Sequence, residues 1–99
     1  MNIEEWKGAE LLLNGYSTRG KTIKRSYDGK VYEIEQYQGV HANEYCIYEV
    51  KNGVRDGTAE LFNDGMVKMR WTMKQGVRSG SYVLFEKGVV VREGSWNDV

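Results

Sequence analysis

The sequence predicts an all-β chain, antiparallel β-hairpin repeats stacked in an elongated meander sheet. Three observations predict it. The first is a stretch that occurs twice. Gly53-Val54-Arg55-Asp56-Gly57-Thr58 runs on through Leu61-Phe62 to Asp64-Gly65, and Gly76-Val77-Arg78-Ser79-Gly80-Ser81 through Leu84-Phe85 to Lys87-Gly88. Gly53 and Gly76, Gly57 and Gly80, Leu61 and Leu84, and Gly65 and Gly88 all stand 23 residues apart. A period of that length marks one supersecondary unit copied along the chain, each copy burying its apolar side on the next. The second is turn chemistry. Asn14-Gly15, Asp28-Gly29, Asn52-Gly53, Asp64-Gly65 and Lys87-Gly88 punctuate a chain with twelve glycines and no proline, and such pairs supply the positive φ of tight hairpins. The third is the strict alternation over 66–74. There Val67, Met69, Trp71 and Met73 are predicted to face one way and Lys68, Arg70, Thr72 and Lys74 the other.

The elements follow in order, and none of them is a helix. A strand over 9–13 carries Leu11-Leu12-Leu13 up to Asn14-Gly15. Strands 21–27 and 30–38 flank Asp28-Gly29, and counting outward from that turn pairs Tyr27 with Lys30, Arg25 with Tyr32, Lys24 with Glu33 and Ile23 with Ile34. An opposite-charge pair and an aliphatic pair in register each add about 0.2–1 kcal/mol. Strand 44–51 puts Cys46, Tyr48 and Val50 on one face, with Cys46 as a small buried hydrophobe. Strands 57–63 and 66–74 flank Asp64-Gly65, and 80–86 and 89–97 flank Lys87-Gly88. Residues 52–57 and 75–80 read as repeated connections between hairpins, and Gln38-Gly39-Val40-His41-Ala42-Asn43 as a worn copy. Burying Trp71 and its apolar neighbours contributes roughly 1.5–3 kcal/mol per side chain before entropy is counted.

Ninety-nine residues make one domain over 1–99, with clear repeats over about 53–75 and 76–97 and degenerate copies over about 9–52. Fourteen basic residues balance fourteen acidic ones, so no net field favours nucleic acid, and no nucleic-acid partner is expected. A single cysteine allows no internal disulfide. The start Met1-Asn2-Ile3-Glu4-Glu5 has neither the basic flank nor the apolar run of a signal peptide, so a cytoplasmic location is expected.

Gly53, Gly57, Leu61-Phe62 and Asp64-Gly65 form one copy of a recognisable unit. Gly76, Gly80, Leu84-Phe85, Lys87-Gly88 and Glu93-Gly94-Ser95-Trp96 form the next. Tyr32-Glu33-Ile34-Glu35 with Tyr37 looks like the tail of an earlier one. Over about residues 28 to 97 the chain resembles the MORN (membrane occupation and recognition nexus) repeat family, as a divergent short variant. It departs from the family pattern where Ala59 and Tyr82 replace a glycine and where Ile34 replaces the glycine that Gly94 keeps. The resemblance implies a non-catalytic scaffold or protein-binding module of stacked hairpins, in some cases near membranes, and one that can form a homodimer.

Catalytic chemistry is not legible. His41 and Cys46 lack a third member, and one His, one Cys and scattered carboxylates make no closed metal site, so no enzyme activity, cofactor or metal is expected. The aromatic residues outnumber what a single-layer sheet can hide, which predicts a binding face for another protein or peptide with Tyr32, Tyr37, Trp71, Tyr82 and Trp96 as its residues. The alternative is a peripheral membrane or phosphoinositide-binding module using segment 19–30, where Arg19, Lys21, Lys24 and Arg25 gather; against it, Glu33 pairs with Lys24 and neutralises much of the field. The C-terminal edge, 89–96, lacks proline and carries only one charged pair, which predicts a homodimer by edge pairing.

Overall fold

A computed structural model describes residues 2–14, 22–36 and 44–96. Helix α1 (Ile3–Asn14) precedes seven strands: β1 (Thr22–Tyr27), β2 (Lys30–Gln36), β3 (Glu44–Lys51), β4 (Val54–Asn63), β5 (Met66–Lys74), β6 (Val77–Glu86) and β7 (Val89–Ser95). The strands pair antiparallel in sequence order in one open sheet, the hairpin meander that the repeat predicts. The β1–β2 register is the one counted from the turn, Tyr27 on Lys30 through Ile23 on Ile34. The turn residues Asp28, Asn52, Asp64, Gln75 and Lys87 stand at φ between 51 and 53, each followed by a positive-φ glycine. That backbone matches the right-handed twist of the strands it joins.

The helix overturns the strand expected over 9–13. Asn2 begins it, accepting the Glu5 N–H on Oδ1 at 2.8 Å, and Glu4 and Glu5 sit in the first turn where the helix dipole favours anions. Trp6 and Leu11 are then buried against Tyr32, Ile34, Tyr45, Ile47 and Phe62, and the Trp6 ring stacks on Tyr27 at 5.0 Å. Tertiary burial, not a strong apolar period, holds this helix. The sheet is therefore not a bare single layer over its first strands.

Two further expectations are corrected. β4 and β6 start at Val54 and Val77, not at 57 and 80, because Asn52-Gly53 and Gln75-Gly76 close as two-residue turns and the rest of each expected connection is strand. The extra residues become bulges, one beside Tyr48/Val50 and its copy beside Trp71/Thr72. Gly57 turns through φ 113 there, and a Cβ at that position would strike the Glu49 carboxylate. A second bulge also repeats. Leu61 pairs with Met69 and Phe62 with Val67, leaving Lys68 unpaired. Leu84 pairs with Arg92 and Phe85 with Val90, leaving Val91. The Lys68 bulge breaks the period of two, so Val67 leaves the face of Met69, Trp71 and Met73 and packs on the helix side.

Candidate functional site

The face turned away from α1 carries a second cluster of Cys46, Ala59, Trp71 and Met73, flanked by Tyr48, Leu61, Met69, Tyr82 and Trp96. Among the described residues no helix or second sheet lies over it. Register lines these residues up across the strands: Tyr48 opposes Ala59, Ala59 opposes Trp71, Trp71 opposes Tyr82, and Tyr82 opposes Gly94. The small residues make room for the large ones. A Cβ on Gly94 would collide with the Tyr82 ring, which also lies 4.6 Å from the Trp96 ring. Trp71 Nε1–H donates to Met73 Sδ at 3.1 Å, and the Tyr48 ring meets Trp71 edge-on at 6.0 Å.

Two arginines lie across this ladder, and they repeat with the sequence. The Arg55 guanidinium sits 3.8 Å from the centre of the Tyr48 ring. Arg78, one repeat later, sits 5.6 Å from Trp71 and 4.8 Å from Trp96. Cation–π contact of this kind contributes about 0.5–2 kcal/mol according to how dry it is. Arg55 also donates from Nε to Glu33 and from Nη2 to Glu35, each at 2.9 Å. Burial works against its charge, but the bond to Glu33, the Tyr48 field and the bond to Glu35 outweigh that and raise its pKa. Lys24 stands opposite Glu33 as expected, but the ion pair of Glu33 is with an arginine two strands away.

Of the expected binding residues, Trp71, Tyr82 and Trp96 come together on this face. Trp71 is only 5 % exposed and serves as its floor, whereas Tyr82 and Trp96 are half-buried. Tyr32 lies on the opposite face, 7 % exposed beneath Trp6, and Tyr37 falls outside the described residues. Of the basic group, Arg19 and Lys21 lie outside the described residues. Lys24 and Arg25 are exposed on opposite faces of β1, and Arg25 reaches Glu10 of α1 at 3.5 Å. Arg55 and Arg78 were not among the expected site residues. Their signal was in the repeat, an arginine seven residues after an aromatic in both copies.

Between the first turns of α1 and the sheet lies a cleft of about 420 Å³, lined by Lys7, Tyr27, Lys30, Glu49, Glu60 and Arg70 among others. At its floor Glu60, 1 % exposed, is bonded by buried Lys7 and by Arg70 Nε and Nη2 at 3.0 and 2.9 Å. The Lys7–Glu60–Arg70 cluster ties the helix to the sheet. Burial pushes the Cys46 thiol and the Tyr48 hydroxyl above their ordinary pKa values, which keeps both neutral at physiological pH. His41, the other expected reactive residue, lies outside the described residues. Among the described residues no three His, Cys, Asp or Glu side chains group to hold a metal, and no helix is long and apolar enough to cross a membrane. Comparison of the chain with family models, with curated proteins and with solved structures gave no match.

Proposed function

We propose that this protein is a non-catalytic, MORN-like interaction module that holds a partner protein on the open face of its sheet. One observation carries the reading: Arg78 lies exposed over Trp71 and Trp96 on the face that α1 leaves uncovered. Arginine and tryptophan are the residues that most often dominate protein interfaces, because they combine large apolar area with directed donors. Cys46, buried and with a raised thiol pKa, is poorly suited to nucleophilic chemistry, which supports binding over catalysis.

The test is affinity capture with the full chain and a Trp96→Ala variant whose fold is checked by circular dichroism. Loss of a captured protein by the folded variant is expected, and undiminished capture would refute the open face as the docking surface. Trp71 is unsuitable for this purpose, since truncating so buried a ring costs about 3–5 kcal/mol of stability.

The proposal extends to self-association through β7. Val89, Val90 and Val91 are 64 %, 48 % and 55 % exposed on a strand that, among the described residues, pairs with β6 alone. A second copy adding its own β7 there would satisfy both edges at once.

A further inference from the structure

We infer that the segment received on the open face carries a carboxylate, and that Arg78 is the group that receives it. The inference rests on the reading of that face as an interaction surface, and it comes from comparing the two copies of one rung. In the first copy Arg55 lies on Tyr48 and donates to Glu33 and Glu35. Glu33 stands opposite Tyr48 in the register, and Glu35 opposite Cys46. In the second copy Arg78 lies over Trp71 at a longer 5.6 Å and closer to Trp96, and the residue opposite Trp71 is Ala59 and the residue opposite Met69 is Leu61. Both internal carboxylates have been replaced by apolar groups while the arginine and its ring remain. Arg78 makes no ion pair among the described residues and is exposed, whereas Arg55 is partly buried beneath its two acids.

The place of Arg78 over two rings suits a carboxylate from outside. Rings pack against the flat face of a guanidinium and leave its N–H edge free to donate a bidentate pair. Trp71 and Trp96 already hold the Arg78 side chain in place, so less rotamer freedom is lost when an acid arrives. Beside Arg78 the Trp96 Nε1–H is buried and has no acceptor among the described residues. Arg92, exposed and opposite Leu84 on the same face, likewise makes no ion pair among the described residues and gives the β7 end a second cation. The chemistry fits a protein segment in which acidic side chains alternate with apolar ones, the acid on Arg78 and the apolar groups on Tyr82, Leu84 and Trp96.

Two short synthetic peptides test this, one alternating leucine with glutamate and the other leucine with glutamine, titrated against the full chain by tryptophan fluorescence and peptide anisotropy. The glutamate peptide is expected to bind at least about ten-fold more tightly, the scale of a charge-assisted hydrogen bond over a neutral one. Arg78→Gln should erase that preference, and Arg78→Lys should keep only part of it because an ammonium neither stacks nor forks. Equal binding of the two peptides would overturn the carboxylate inference and leave the open face as an interaction surface. No binding of either at millimolar concentration would count against both. A preference that survives Arg78→Gln but disappears in Val90→Pro would place the peptide on the β7 edge and overturn the inference.

Discussion

Replacing Glu60 by glutamine tests how α1 is held to the sheet. The substitution keeps the shape of the side chain and removes its charge. Lys7, itself only 6 % exposed, would then keep an ammonium in the interior without its bonded carboxylate, the Tyr32 ring lying 5.8 Å away and Glu4 and Glu49 lining the same cleft. Leaving one member of a buried ion pair uncompensated costs about 3–5 kcal/mol. The lower end applies here, since a glutamine oxygen can still accept one hydrogen bond. Arg70 is 42 % exposed at its side chain and recovers hydration, so its share of the loss is small. For a domain with roughly 5–15 kcal/mol of total stability, a loss of about 3 kcal/mol is a large fraction. At about 4–8 °C per kcal/mol, it lowers Tm by roughly 12–24 °C. Urea unfolding followed by tryptophan fluorescence reads the change, because Trp6 leaves its stack on Tyr27 when the helix detaches. The Lys7→Met/Glu60→Gln double variant should be less destabilised than the sum of the two single changes, since no lone ammonium remains. A Glu60→Gln loss below about 1 kcal/mol, or strict additivity in the double variant, would show that the pair does not anchor the helix.

The remaining predictions concern alkaline pH and the free edge. Burial raises the pKa of the Cys46 thiol above its ordinary 9.0 and of the Tyr32 and Tyr48 hydroxyls above 10.0, so the folded chain keeps protons that the unfolded chain releases. Their contribution is whole below the ordinary values and is lost as pH rises through and beyond them. Tm should therefore be flat near neutrality and fall above pH 9, and a constant Tm across that range would contradict the burial of these groups. Cys46 should react with a thiol reagent only as the protein unfolds, read as the rate of label uptake against urea. Light scattering should give a concentration-dependent mass above the 11.4 kDa of one chain, and Val90→Lys should return it to that value; a constant single-chain mass refutes edge pairing.

The strands were legible because their signals are local. Asp28-Gly29 set the β1–β2 register residue by residue, and β3 and β5 run over the ranges expected for them, 44–51 and 66–74. The 23-residue offset reappears in the structure as repeated bulges and repeated arginine–ring contacts. What escaped the sequence depended on partners far along the chain. The apolar stripe of α1 is short and interrupted by Gly8, and its clearest mark is the Asn2-to-Glu5 spacing of an N-terminal cap. Alternation assumes one residue per rung, so it could not foresee that Lys68 bulges and sends Val67 to the other face. Glu33 stands beside Lys24 in its hairpin, yet a longer arginine from β4 reaches it first. The aromatic residues divided between two faces for the same reason, Tyr32 under the helix and Trp71 on the open side.

The one-sided helix gives the sheet a slow end and a fast end. In a stack where each strand touches only its neighbours, local opening starts wherever the last neighbour is missing. β2, β3 and β4 lie under Trp6 and Leu11, whereas six of the seven β7 residues are exposed. Amide hydrogens of β7 should exchange in local openings that leave β2–β4 intact, and those of β3 only when the whole domain unfolds. Arg78 stands one strand in from the fraying end. A bound segment would thus slow exchange most in β6 and β7, and its footprint could be read from labelling alone.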